Sequence, residues 1–190
     1  MAKLYLVRHG SSVEQGMIRG RLPGYPLSEK GKGEAALAAD WLADRNMTSI
    51  FTSPLQRAYE TAEIIGKEKG IKPKLSEQLG EWYAPAWQGK YWNQISKLQL
   101  IRYALRPSTI NLNGETLGEV AERMAVFIKN VSTHDGDIVC VSHRDPIIAG
   151  KLALMGRNLN GLNFERCKPG SVTVLDMSEE KARQLEYFEP

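Results

Sequence analysis

The alternation of short apolar runs with longer helical patterns constrains this fold most. Residues 4–7 (LYLV) and 138–141 (IVCV) are continuously apolar, and each run stops at a polar or charged residue. Such short runs are typical of strands buried on both faces, as in a parallel sheet. Strands that alternate with helices predict an α/β fold, which we expect to be a three-layer sandwich with a mostly parallel central sheet flanked by helices.

Helix-start signals divide the chain into elements. Ser53 and Asp145 each precede a proline and predict an N-cap with proline at the first helical position. Thr116 and Glu119 have the spacing of a capping box. Residues 82–114 have no clean period and predict a small cap insertion in one domain that spans residues 1–190. Predicted strands cover residues 4–7, 49–52, 72–78, 137–142, 171–177 and 184–188, and predicted helices cover residues 28–45, 55–69, 116–131 and about 145–155.

Composition excludes several classes of protein. The chain has 190 residues, of which 42% are apolar and 25% are charged, as in an ordinary globular protein. It has no run of about 18 apolar residues, so we expect no transmembrane helix and no membrane partner. The net charge is only +3 and no basic block occurs, so we expect no nucleic-acid partner.

Cysteine usage and the N-terminus indicate the compartment. The two cysteines form no C-x-x-C motif, and the first residues reach Arg8 and His9 too early for a secretory signal. We therefore expect a cytoplasmic protein. The sequence leaves the oligomeric state open, although a homodimer is the commonest arrangement among soluble oligomers.

Four polar side chains follow predicted strands at the points where those strands end. Arg8 and His9 directly follow the first strand, and Arg57 lies in the first turn of the helix after the second. His143 ends a later strand. Ligands of open α/β sheets bind outside the carboxyl ends of the strands, so we expect these side chains to share one edge. Helix N-termini and arginine forks both suit phosphate, and the sequence therefore predicts a phosphate site there.

A histidine inside a phosphate site allows chemistry as well as binding. Neutral imidazole is a nucleophile near pH 7, and arginines stabilise the charge of a transferring phosphoryl group. The three histidines are far apart in sequence and no metal-ligand spacing occurs, so we expect no metal and no other cofactor. Ester hydrolysis would also need a carboxylic acid to protonate the leaving oxygen. The residues alone leave a pure anion-binding module open, and His134 is expected in a surface loop.

Five segments of the chain occur in a characteristic order. They are LVRHG at residues 6–10, PLSEKG at 26–31, SPLQRA with TA at 53–62, GET at 114–116 and VSH at 141–143. This set resembles the histidine phosphatase superfamily, which includes the cofactor-dependent phosphoglycerate mutases. The resemblance covers nearly the whole chain and implies the same α/β fold.

The resemblance also implies a role for each residue of the predicted site. His9 would be the nucleophile that becomes phosphorylated. Arg8, Arg57 and His143 would hold the phosphoryl oxygens, and the hydroxyl of Ser12 would bind phosphate.

The family's acid is a glutamate that precedes a W-[EQ]-G element, which residues 87–89 match. The spacing assigns Glu81 as the general acid and base, while Glu77 fits worse because it would need a longer connection. Glu115 is expected to favour the N-terminus of the following helix through its charge.

Two positions depart from the family pattern. Gln15 stands where the family often has asparagine, and Arg144 stands where glycine commonly follows the second histidine. Arg144 either binds a second anionic group or pairs with a nearby carboxylate, and it would bring strain if the position needs a positive φ. We take Gln15, Arg21 and Arg144 as candidate substrate contacts.

The stretch after the acid separates the two activities of the family. Mutases of the family carry an arginine-rich insertion there, whereas the cations of residues 90–113 are scattered among apolar and aromatic side chains. We therefore expect a phosphomonoesterase of the histidine acid phosphatase type that acts on a small-molecule phosphate ester. A phosphoglycerate mutase-type phosphotransferase and a non-catalytic phosphate-binding protein are the alternatives. The apolar side chains either contact a large substrate body or pack the cap insertion on the core.

Overall fold

A six-stranded sheet forms the centre of the computed structural model, which describes residues 3–14, 16–133 and 136–190. The order of the strands across the sheet is β3-β2-β4-β1-β5-β6. The first four strands in that order run parallel, and β5 runs antiparallel to both of its neighbours. The prediction of a mostly parallel sheet is confirmed. The strands are β1 (Lys3–Arg8), β2 (Met47–Thr52), β3 (Lys74–Leu75), β4 (Asp137–Ser142), β5 (Val172–Asp176) and β6 (Arg183–Phe188).

Alternate residues of the central strands face two different cores. Leu4 and Leu6 of β1 pack with helices α4 (Leu117–Val131) and α5 (Arg144–Leu154). Tyr5 and Val7 pack on the other face with α1 (Glu29–Leu42) and α2 (Gln56–Lys67). Both faces of the strands are buried, which is why their sequences are apolar throughout. The three-layer sandwich is confirmed. Within the described residues, every helix is too short or too polar to cross a membrane.

Two predicted helix starts are wrong. Leu55, and not Ser53, is the N-cap of α2; the buried hydroxyl of Ser53 accepts from the N–H of Leu55 at 3.3 Å and also lies 2.9 Å from Nε2 of His143. Likewise α5 begins at Arg144 with His143 as its N-cap, so Asp145 lies inside the first turn.

The predicted strand over residues 72–78 is reduced to the two residues of β3. These residues lie at the edge of the sheet, pair only with β2 and are exposed. A strand that pairs with one neighbour and buries neither face gains little free energy from additional residues.

Residues 82–114, which we call the cap segment, contain helix α3 (Lys97–Leu105) and short 3-10 turns. Trp82, Trp87 and Leu112 are buried in the same core as α4 and α5. Part of the apolar content of this segment therefore packs it on the core, as one of the two interpretations predicts.

The capping box of α4 gives a test of local stability. Oγ1 of Thr116 accepts from the N–H of Glu119 at 3.2 Å, and the Glu119 carboxylate accepts from the N–H of Thr116 at 2.7 Å. Because Thr116→Ala removes the cap, we expect the free energy of unfolding to fall by about 1 kcal/mol in chemical denaturation. Glu122→Ala, on an exposed position of the same helix, is the control and should change it by less than about 0.5 kcal/mol. An equal loss in both variants would contradict the capping role.

Candidate active site

The carboxyl ends of β1 and β4 bring two histidines together. In the register of these strands Arg8 is opposite Ser142, so the next residues, His9 and His143, leave the sheet side by side. Their ring centroids are 5.0 Å apart. Arg57, in the first turn of α2, places its Nε 3.3 Å from Nε2 of His9. The structure thus gathers the four strand-end residues: Arg8, His9 and Arg57 line one cavity of about 190 Å³, which the cap segment also lines, and His143 packs directly behind His9.

The hydrogen bonds of His9 define which ring nitrogen carries the proton. Nδ1 lies 2.7 Å from the carbonyl oxygen of Gly10, which can only accept, so Nδ1 carries the proton. Burial, followed by the charges of Arg57 and Arg8, lowers the pKa of His9 well below its ordinary value of 6.5. The ring is therefore neutral at pH 7, with Nε2 unprotonated and accepting from Nε of Arg57.

The second histidine is completely buried. Nε2 of His143 contacts the hydroxyl of Ser53, and its Nδ1 lies 3.7 Å from Oε2 of Glu81. Burial, with the charge of Arg57 next, also lowers the pKa of His143 well below 6.5.

Glu81 lies in the cavity, whereas Glu77 is exposed and does not line it. Burial and the neighbouring carboxylate of Asp145 raise the pKa of Glu81 to about 7. The charge of Arg57 and the N–H of Trp82, 2.8 Å from Oε1, oppose this rise without cancelling it. Glu81 is therefore a carboxyl group that both gains and loses a proton near neutral pH.

Two arginines hold the backbone of Glu81 in place. Nε of Arg21 donates to the Glu81 carbonyl at 2.7 Å, and Nη2 of Arg123 donates to it at 3.2 Å. Both guanidinium groups are paired with Glu115, which also accepts from the N–H of Tyr83. The carboxylate of Glu115 thus makes these contacts, while Thr116 and Glu119 cap the helix that it was expected to serve.

The candidate substrate contacts have different placements. Arg21 is held by Glu115 and does not line the cavity, but Arg19 does. Arg19 donates to the carbonyl oxygens of Val13 and Glu14. The sequence missed Arg19 because the two arginines flank one glycine in the same loop, and no local signal separates them.

Arg144 lines the cavity and is also paired with a carboxylate. Its Nη1 lies 2.6 Å from Oδ1 of Asp145, so the ion-pairing interpretation describes its contact. It is the first residue of α5 and has no positive φ, so the expected strain is absent. Gln15 and His134 lie outside the described residues.

Several polar atoms near His9 are buried without a hydrogen-bond partner in the described part of the chain. Among them are Nε of Arg8, Nε of Arg19, Oγ of Ser12 and Nδ1 of His143. Buried polar groups in folded proteins are usually paired. Unpaired arginine and hydroxyl donors are chemically suited to a ligand rich in acceptor oxygens, such as a phosphate.

The fold and this histidine-arginine site define a family. The sequence profile of the histidine phosphatase superfamily (branch 1) matches residues 4–189. The chain belongs to this superfamily.

Relatives with curated names support the same class. The chain is 30% identical to phosphoserine phosphatase 1 of Hydrogenobacter thermophilus over 189 residues. The match covers 95% of this chain and 89% of the relative. It is 24% identical over 185 residues to the adenosylcobalamin/alpha-ribazole phosphatase of Salmonella typhimurium, covering 93% and 91% of the two chains. A solved mycobacterial glucosyl-3-phosphoglycerate phosphatase superposes with a TM-score of 0.89 at 24% identity, covers 97% of each chain, and shows the same fold.

The protonation of His9 can be tested directly. Because its pKa is depressed, we expect NMR spectra to show a neutral ring with the proton on Nδ1 down to well below pH 6.5. Spectra of His9→Ala assign the signals. Below about pH 6.5 the His9 ring takes up a proton in the unfolded chain but not in the folded protein, so the free energy of unfolding decreases as the pH falls through that value. A His9 ring that titrates at 6.5 would contradict the proposed burial and charge effects.

Proposed function

We propose that the protein is a metal-independent phosphomonoester hydrolase that acts through a phosphohistidine on His9, with Glu81 as general acid and base. The observation that carries this proposal is the unprotonated Nε2 of His9. It accepts a hydrogen bond from Nε of Arg57 at 3.3 Å and lies in the same cavity as a carboxyl group whose pKa is about 7.

The first step transfers the phosphoryl group from the ester to the enzyme. Nε2 of His9 attacks phosphorus, the bond from phosphorus to the ester oxygen breaks, and Glu81 gives its proton to the leaving oxygen. The guanidinium groups of Arg8 and Arg57 stabilise the charge on the phosphoryl oxygens. As the ring becomes positive, its Nδ1–H strengthens the hydrogen bond to Gly10.

The second step returns the enzyme to its starting state. Water attacks phosphorus, ionised Glu81 takes one of its protons, and the bond from phosphorus to Nε2 breaks with its electron pair returning to His9. Inorganic phosphate leaves, and Glu81 is protonated again. A carboxyl group that must act as acid and then as base is most effective with a pKa near the working pH.

Hydrolysis is favoured over mutase activity by the contacts of the cations in and near the cavity. Arg144 is paired with Asp145, and Arg21 is paired with Glu115 and does not line the cavity. Arg19 lines the cavity, but its guanidinium group donates to the carbonyl oxygens of Val13 and Glu14. The names of the relatives described above also favour a phosphatase. Phosphate binding alone would not need a carboxyl group of raised pKa beside the two histidines.

His9→Ala tests the nucleophile. In excess chelator, we expect wild type to hydrolyse p-nitrophenyl phosphate and His9→Ala to lose turnover by about 10³-fold or more. When the wild-type reaction is stopped without acid, which would hydrolyse phosphohistidine, mass spectrometry should find one phosphoryl group on the peptide that contains His9. Loss of wild-type activity in chelator would refute metal independence, and equal turnover in both proteins would refute the nucleophile.

Glu81→Gln tests the acid. We expect kcat to fall by about 10²-fold for an alkyl phosphate, and much less for p-nitrophenyl phosphate, because a good leaving group needs no proton. The kcat/KM of wild type for the alkyl ester should decline above about pH 7, as Glu81 loses its proton, and the variant should lack this decline. Glu77→Gln is the matched control, since that side chain is exposed. The same pattern in the control would move the acid to Glu77.

A further inference from the structure

Resting on the proposed hydrolase function, we propose that the cap segment forms a subsite for a flat, uncharged, aromatic leaving group. The alcohol part of the ester would pack against a wall formed by the rings of Trp87, Trp92 and Tyr103. Arg144, which lies beside this wall, would not bind a second anionic group.

The wall consists of rings that support one another. The ring centroid of Tyr103 lies 5.5 Å from that of Trp87 and 6.0 Å from that of Trp92, and Trp87 and Trp92 are 6.0 Å apart in a T-shaped arrangement. All three line the cavity that holds His9. Rings held in this way lose little entropy when a ligand packs on them.

Trp92 offers the free surface of this wall. Both tryptophans line the cavity, but Trp87 is buried and Trp92 is 43% exposed. A flat ring that covers Trp92 would remove apolar surface of both partners from water, and stacked aromatic pairs add to this gain.

The indole N–H of Trp87 is a second, independent sign of a ligand. It is buried and donates to no acceptor in the part of the chain that the structure describes. An unpaired buried donor is costly unless a ligand accepts its proton. The wall therefore suits a ring that carries a hydrogen-bond acceptor.

Arg144 is withheld from anionic substrates by its contacts. Its guanidinium group donates to Asp145 at 2.6 Å, and to the hydroxyl of Tyr103 and the amide oxygen of Asn163, both at 3.1 Å. Asp145 in turn accepts from the Tyr103 hydroxyl through both carboxylate oxygens. A substrate carboxylate that displaced Asp145 from Arg144 would leave an unpaired buried carboxylate facing Glu81, and this cost disfavours an acidic leaving group.

Phosphonates test the subsite without relying on catalysis, because their carbon-phosphorus bond is not an ester. Calorimetry on wild type should compare benzylphosphonate, ethylphosphonate, the carboxylate-bearing 3-phosphonopropanoate and the zwitterionic 2-amino-3-phosphonopropanoate. We expect benzylphosphonate to bind about tenfold more tightly than each of the others.

Variants of the wall assign the preference to Trp92. Trp92→Ala should remove most of the preference for benzylphosphonate and change the Kd of ethylphosphonate by less than about twofold. Tyr91→Ala is the matched control, because Tyr91 is the adjacent aromatic residue, is also 43% exposed, and does not line the cavity. Trp92→Leu replaces Trp92→Ala if thermal unfolding shows that the smaller side chain disturbs the fold.

The outcomes separate the subsite from the chemistry. The subsite would be overturned if the four phosphonates bound equally, if none of them bound, or if 3-phosphonopropanoate or 2-amino-3-phosphonopropanoate bound more tightly than benzylphosphonate. A preference that survives Trp92→Ala would also overturn it. Hydrolysis is measured separately with benzyl phosphate and ethyl phosphate, whose leaving alcohols are similarly basic. Selective phosphonate binding without hydrolysis of either ester would refute the proposed function and leave the subsite standing.

Discussion

The hydrogen bond from Nδ1 of His9 to the carbonyl oxygen of Gly10 fixes which ring nitrogen faces the cavity, and the site depends on it. The backbone that supplies this carbonyl is held tightly. A Cβ on Gly10 would collide with the carbonyl oxygen of Gly31, and the N–H of Gly10 donates to Thr61. A Cβ on Gly31, in the first turn of α1, would collide with the carbonyl oxygen of Ser11. Glycine at both positions thus lets the helix pack directly on the loop that orients His9, although glycine weakens a helix.

Burial has opposite effects on the pKa values of the proposed nucleophile, His9, and the proposed acid and base, Glu81, and both effects suit the proposed reaction. It keeps His9 neutral, because a charged imidazole loses solvation, and it raises the pKa of Glu81 for the same reason. Arg57 lowers both pKa values, so the site needs Asp145 to help keep Glu81 protonated near pH 7. The arginine that would stabilise the phosphoryl group thus also helps to prepare the histidine.

Sequence reasoning predicted best where a local rule operates. The strand β4, the capping box at Thr116 and the shared edge of Arg8, Arg57 and the two histidines follow from apolar runs, side-chain spacing and the direction of parallel strands. It failed where a distant contact competes with a local one. Ser53 has the sequence of an N-cap but contacts His143, and the choice between Arg19 and Arg21 depends on where Glu115 lies.

The sequence by itself determined the α/β sandwich, the family, and the gathering of arginines and histidines at one edge, because these depend on periodicity and motif order. Only the tertiary structure decided the tautomer of His9, the pKa of Glu81 and the pairing of Arg144 with Asp145. The first and third depend on the side-chain conformations that the fold gives to neighbouring residues, His9 with Gly10 and Arg144 with Asp145. The pKa of Glu81 depends on burial and on charged groups that lie far from it in the chain. Residue spacing in the sequence does not specify burial, side-chain conformation or the distances between atoms in the folded protein.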